Sequence, residues 1–188
     1  MSVSKFCDRY IKNITNYVYK HSNHGIKTVC FFPNFNRFLT KKEIKDKHAM
    51  PLAFISDESD EVIIYINKKN WPIRHAHMCQ GILLHEIGHL KDGLYGGQHH
   101  KKELNAQLWA IKKAKRLKRP RVARWLLLNL FLWGLQKNFS KIYRQASKVA
   151  YKRGIINRKT MNNIFIGTKE SLDVVYADYC KTIKSVKL

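Results

Sequence analysis

The stretch Gly81-Ile82-Leu83-Leu84-His85-Glu86-Ile87-Gly88-His89-Leu90-Lys91-Asp92-Gly93 decides how this chain is read. Ile82, Leu83, Leu84, Ile87 and Leu90 make it a mostly buried helix, and Asp92-Gly93 ends it. Within it, His85-Glu86-Ile87-Gly88-His89 is an HExxH pattern. Histidines four residues apart stand one helical turn apart on the same face, so both imidazoles can converge on one metal ion. Glu86 points off that face, where its carboxylate can take a proton from a water attacking a carbonyl and pass it to the leaving amine. The bland alternative, a chance match on an amphipathic helix, leaves two histidines and a glutamate buried with nothing to satisfy them. Gly88 costs about 1 kcal/mol of helix propensity relative to alanine, so another backbone or the substrate is expected to come close there.

A catalytic zinc site needs a third protein ligand and an open position. The metzincin extension HExxHxxGxxH is absent, because its two added positions are Asp92 and Tyr95. The first candidate is Glu103 in the string Glu103-Leu-Asn-Ala106-Gln107-Leu-Trp109-Ala110, with His100, His99 and Asp92 as alternatives. HEIGH followed by a short loop and a helix with ExxAxxxA resembles the ImmA/IrrE-type metallopeptidases, small gluzincin-like enzymes, over about Val62 to Leu117. That resemblance implies Zn2+ held by His85, His89 and Glu103, with Glu86 as general base. It also implies alanines that let two helices pack closely, and hydrolysis of a protein or peptide substrate. Gln107 stands where related sequences often carry Asp or Asn, which puts a hydrogen bond from there to a ligand histidine in doubt. SprT-like zinc proteases resemble the chain more loosely: His100-Lys-Lys-Glu-Leu104 lacks the glycine and the aromatic of their HGxxF-like segment. His75 and His77 read as solvated or satisfied histidines.

Outward from the motif, the expected fold class is α+β, a small zincin-type catalytic domain with a short antiparallel or mixed sheet. Val3 to Lys20 has the spacing of an amphipathic helix, Ile26 to Phe32 reads as a strand, and Leu52 to Ser56 with Glu61 to Asn67 reads as a hairpin around Asp57-Glu58-Ser59-Asp60. Val62 to Ile66 is the candidate cleft edge along which an extended substrate could pair, though an internal strand would look the same. Trp71-Pro72 starts the motif helix, which runs to about Lys91, and a second helix runs from His99 or His100 to Leu117, before Pro120. The expected division is a metallopeptidase domain over 1–119 and a basic helical region over 120–188, packed on it or a small appendage. In the latter, Ala150 to Met161 resembles a helix-turn-helix around Gly154, with a plain helical bundle as the alternative. Glu170 to Lys184 is expected to be a terminal helix packing Leu172, Val175, Tyr176 and Tyr179.

The formal charge is +23 over 188 residues, and eighteen Lys and Arg face one acidic residue, Glu103, between Lys101 and Thr160. Nucleic acid is the commonest acidic partner for such a region, a merely solvated basic surface the alternative. The competing function is therefore a nucleic-acid-binding protein whose zinc site is structural or idle, and the two combine in a protease acting on DNA-bound proteins. Val122 to Leu135 is apolar but contains Arg124 and Asn129 and falls short of the roughly 20 residues that span a bilayer, so a buried helix is expected and no membrane partner. Met1 to Tyr10 has no apolar h-region, and Cys7, Cys30, Cys79 and Cys180 form no CxxC pair, which together suggest a cytoplasmic protein, or a nuclear one in a eukaryotic or viral setting.

Overall fold

The computed structural model describes residues 12, 16, 20, 26–32, 53–58, 61–67, 75–92, 99–136, 140–165 and 167–188, with 26–32, 53–58, 61–67 and 90–92 described through their backbone alone. Most of the expected N-terminal helix, Trp71-Pro72 and the loop between the motif helix and the Glu103 helix lie outside the described residues. The helices are α1 (Ala76–Asp92), α2 (His99–Arg116), α3 (Pro120–Leu135), α4 (Lys141–Lys152), α5 (Arg158–Ile164) and α6 (Lys169–Ser185).

The α+β expectation is overturned. Where side chains are described, 84% of residues are helical and none lies in a strand, so that part of the protein is all-helical. The physical reason lies in the apolar faces after residue 99. They bury themselves against α1 and one another in two apolar clusters. Three backbone strands, β1 (Ile26–Phe32), β2 (Ala53–Glu58) and β3 (Glu61–Asn67), are ordered β1-β3-β2, parallel between β1 and β3 and antiparallel between β2 and β3. Both hydrogen-bonding edges of β3 are thus taken. Val62 to Ile66 is an internal strand, and the substrate edge expected there is corrected.

Two hydrophobic clusters hold the helices. Leu84 of α1 meets Ala110, Ile111 and Ala114 of α2 and Val122, Ala123 and Leu126 of α3. Leu104 of α2 joins Leu130, Phe131 and Trp133 of α3 to Ala146 and Ala150 of α4, Met161 and Ile164 of α5, and Leu172, Tyr179 and Ile183 of α6. Both clusters run across residue 120. The apolar stripe of Val122 to Leu135 therefore has protein on several sides, and among the described residues no helix is long and apolar enough to cross a membrane.

Local chemistry sets the helix ends. Pro120 opens α3, where its missing N–H costs nothing. Gly154, at φ +69°, turns the chain after α4 in the left-handed region that glycine enters without strain. Asn157 caps α5 by accepting from Thr160 N–H at 2.8 Å, and Thr168 caps α6 by accepting from Ser171 N–H at 3.2 Å. At the far end of α6 the Lys148 ammonium donates to the carbonyls of Lys184 and Val186, a cation placed where the helix dipole is negative. The motif helix begins at Ala76. His75 precedes it and its carbonyl accepts from the N–H groups of Met78 and Cys79.

Candidate metal centre

The centre forms where α1 and α2 approach most closely. A Cβ at residue 88 would lie 2.6 Å from the Ala106 carbonyl oxygen and 2.9 Å from its Cα, distances no real side chain tolerates. The close backbone expected at Gly88 is that of α2. Ala106, Ala110 and Ala114 are fully buried and give α2 a small-residue face toward its neighbours. This contact brings Glu103, one turn before Gln107, level with the two histidines on α1.

Three ligand atoms converge. His85 Nε2 and Glu103 Oε2 are 3.1 Å apart, His89 Nε2 and Glu103 Oε2 3.5 Å, and the two histidine Nε2 atoms 3.2 Å. A tetrahedral metal with bonds of about 2.0–2.1 Å has ligand–ligand edges of about 3.3–3.4 Å. The three observed separations bracket that edge, so the donors fit a small divalent cation. Among the described residues, His85, His89 and Glu103 form the metal-capable group. His99 is exposed and His100 half-buried, and neither belongs to it; the side chain of Asp92 is outside the described residues.

Electrostatics separates the two glutamates. Burial pushes the Glu86 carboxyl up to about 7; His85 and His89 pull the other way, and the charge of Glu103 adds to the rise. Burial also raises Glu103, but hydrogen bonds from His85 and His89 outweigh it and hold that carboxyl down at about 2. One carboxylate is therefore fixed as an anion facing the imidazoles. The other, only 8% exposed, exists in both protonation states near neutrality.

Two residues that the sequence reading did not single out complete the site. Trp133 of α3, buried, meets the His85 ring edge-on at 5.8 Å between centroids, and Tyr143 of α4 packs on Trp133 at 4.7 Å. Burial, with the charges of Glu103 and Glu86 next in weight, raises the Tyr143 phenol well above its usual range, which places it within electrostatic reach of both carboxylates. Neither residue carries a spacing signal. An aromatic with a polar tip in an otherwise apolar helix is the nearest hint, and it is weak.

Gln107 settles the doubt raised by its position. Its amide donates to the Leu126 carbonyl at 2.8 Å, tying α2 to α3, and it makes no hydrogen bond to a histidine. His85 Nδ1 and Gln107 Oε1 are buried with no hydrogen-bond partner among the described residues. Cys79 is buried and Cys180 half-buried, and among the described residues neither joins the metal-capable group. His75 and His77, with ring centroids 6.1 Å apart at the start of α1, also stand apart from it. No protein-family model, no curated protein and no solved structure matches this chain.

Proposed function

We propose that this chain is a zinc-dependent metallopeptidase, with His85, His89 and Glu103 as ligands and Glu86 as general base. The observation that carries the reading is the convergence of two imidazole nitrogens and a carboxylate oxygen at 3.1–3.5 Å beside a buried carboxyl at about 7. Two histidines and a glutamate are a donor set of catalytic zinc in peptidases and leave one position open. When bound, zinc polarises a carbonyl and acidifies a water. Glu86, buried beside the two histidines, supplies the proton traffic: it accepts a proton from the attacking water and returns it to the leaving amine. Trp133 packs on His85 and keeps bulk water from that side of the ligand. Tyr143, packed on Trp133 where that ring meets His85, is the candidate donor to the negative charge that grows on the carbonyl oxygen.

Zinc content and cleavage of a denatured protein test this together. The wild type should carry about one zinc and cleave; Glu86→Gln should keep the zinc and lose about 10²–10⁴-fold in rate. Glu103→Ala should lose the zinc while His99→Ala and His100→Ala retain it. A Glu86→Gln variant that cleaves normally removes the mechanism. Zinc lost from His100→Ala instead of Glu103→Ala moves the third ligand to the SprT-like pattern.

A further inference from the structure

The other end of α2 carries a different kind of charge. Between Lys112 and Arg124, where α2 turns into α3, eight residues are Lys or Arg and none is acidic. Lys112, Lys115, Arg116, Lys118, Arg119, Arg121 and Arg124 are exposed, while the ammonium of half-buried Lys113 lies 5.9 Å from the Trp109 ring centroid. None of the eight forms an ion pair with a described residue. Such a density of unopposed charge repels itself, and it is tolerated because solvent and salt screen it.

The corner is concave. An open cavity of about 500 Å³ lies between the end of α2, the first turns of α3 and the end of α5. Lys115, Arg121 and Arg124 line it together with Leu127, Ile164 and the exposed amide of Asn163. Arg124 is held in place, its Nε donating to the Ile164 carbonyl at 2.9 Å, while its terminal nitrogens have no partner among the described residues. The cavity thus combines cations around its wall, a largely apolar floor and a neutral amide.

We propose that the α2–α3 corner binds the phosphate backbone of a nucleic acid, with a sugar or base seated in the cavity against Leu127 and Ile164. Three features favour nucleic acid over the other anionic partners. Repeated cations on a turn suit a repeating anion, the anchored guanidinium suits a phosphate oxygen pair, and an apolar hollow with an amide suits a ring edge. A membrane surface would instead match a convex basic face flanked by exposed large apolar side chains. Only Val174 and Leu188 stand out as such among the described residues, and both belong to the C-terminal part rather than to the corner. Arg116 lies thirteen positions after Glu103 on α2, so the bound strand would lie about 20 Å from the metal centre at 1.5 Å per residue. The inference does not depend on the peptidase reading.

The test measures binding of the full chain to a DNA duplex of about 20 base pairs and to a single-stranded RNA of about 20 nucleotides. Binding should be measurable at about 50 mM salt and weaken about 100-fold or more by about 200 mM, as expected for four or five neutralised phosphates. Lys112→Gln/Lys115→Gln/Arg121→Gln leaves the Arg124–Ile164 hydrogen bond intact; it should weaken binding more than about 10-fold and lower the salt slope by about 3. Lys181→Gln/Lys184→Gln/Lys187→Gln, equal in charge but on α6 and the tail after it, should change binding less than about 3-fold. Binding of either nucleic acid with this pattern supports the site. Absence of binding at low salt, equal loss in both triple variants, or equal competition by polyglutamate or phosphatidylserine vesicles overturns it.

Discussion

Helix α2 has two charged ends that are organised in opposite ways. At its start, Glu103 meets two imidazoles within 3.5 Å, behind Trp133 and beside Tyr143. At its end and across the turn into α3, eight cations share thirteen residues with no acidic residue among them. The difference is burial. A charge taken out of water must be matched at a defined distance by a defined group, whereas an exposed charge is solvated and needs no match. The first end is therefore specified by geometry and the second by number. Single substitutions should be severe at the former, and only combined ones should matter at the latter.

The largest effect at the metal end should come from Glu86 in the metal-free protein. Its carboxyl holds a proton more tightly folded than unfolded, about 7 against an ordinary 4.5. The stability linked to it is complete below pH 4.5 and is lost as pH rises through 7, on the order of 3 kcal/mol. Glu86→Gln should then unfold at the same urea concentration as wild type near pH 4 and be more stable by about that amount near pH 8.5. Equal stability at both pH values would mean the carboxyl is not strained by burial. Glu103 has the opposite sign: its folded value of about 2 adds stability above pH 4.5 that is lost as pH falls toward 2.

Next comes the helix contact. Gly88→Ala gains about 1 kcal/mol of helix propensity but drives a Cβ into the Ala106 carbonyl, an overpacking that costs about 1–3 kcal/mol. Thermal unfolding should register a net loss of up to about 2 kcal/mol, and the centre should retain a divalent cation less well. A more stable variant would show that the two helices can move apart freely. The smallest effect is Tyr143→Phe, expected to lower kcat about tenfold, about 1.4 kcal/mol, with zinc content unchanged. An unaltered rate would reduce Tyr143 to a packing residue. All three substitutions should leave nucleic-acid affinity at the corner unchanged, and a change there would dissolve the contrast between the two ends.

The local parts of this arrangement were legible in the sequence because they depend on spacing alone. HExxH places two imidazoles on one face, ExxAxxxA places a carboxylate on the small side of the next helix, and a glycine between ligands asks for a close backbone. The fold class was misread for a different reason. Periodicity marks which face of a helix is apolar but not what it will meet, and nothing in it tells how much of the buried core the helices after Pro120 supply. The same limit hid Trp133 and Tyr143. Trp133 lies forty-eight positions from His85, and nothing local in α3 or α4 tells that their aromatic residues face a histidine. Gln107 was legible as an anomaly but not as a link to Leu126, since that carbonyl belongs to another helix.

The spacing of the three ligand atoms is set, in the end, by something residue 88 does not have. Every other amino acid carries a Cβ, and at this position that atom would press to 2.6 Å from the Ala106 carbonyl oxygen. The distance between the helices is thus written in hydrogen rather than in carbon. Ordinary core positions drift by trading one methyl group for another; this one offers nothing to trade, and a lineage that lost the glycine would have to rebuild the opposite helix to recover the centre.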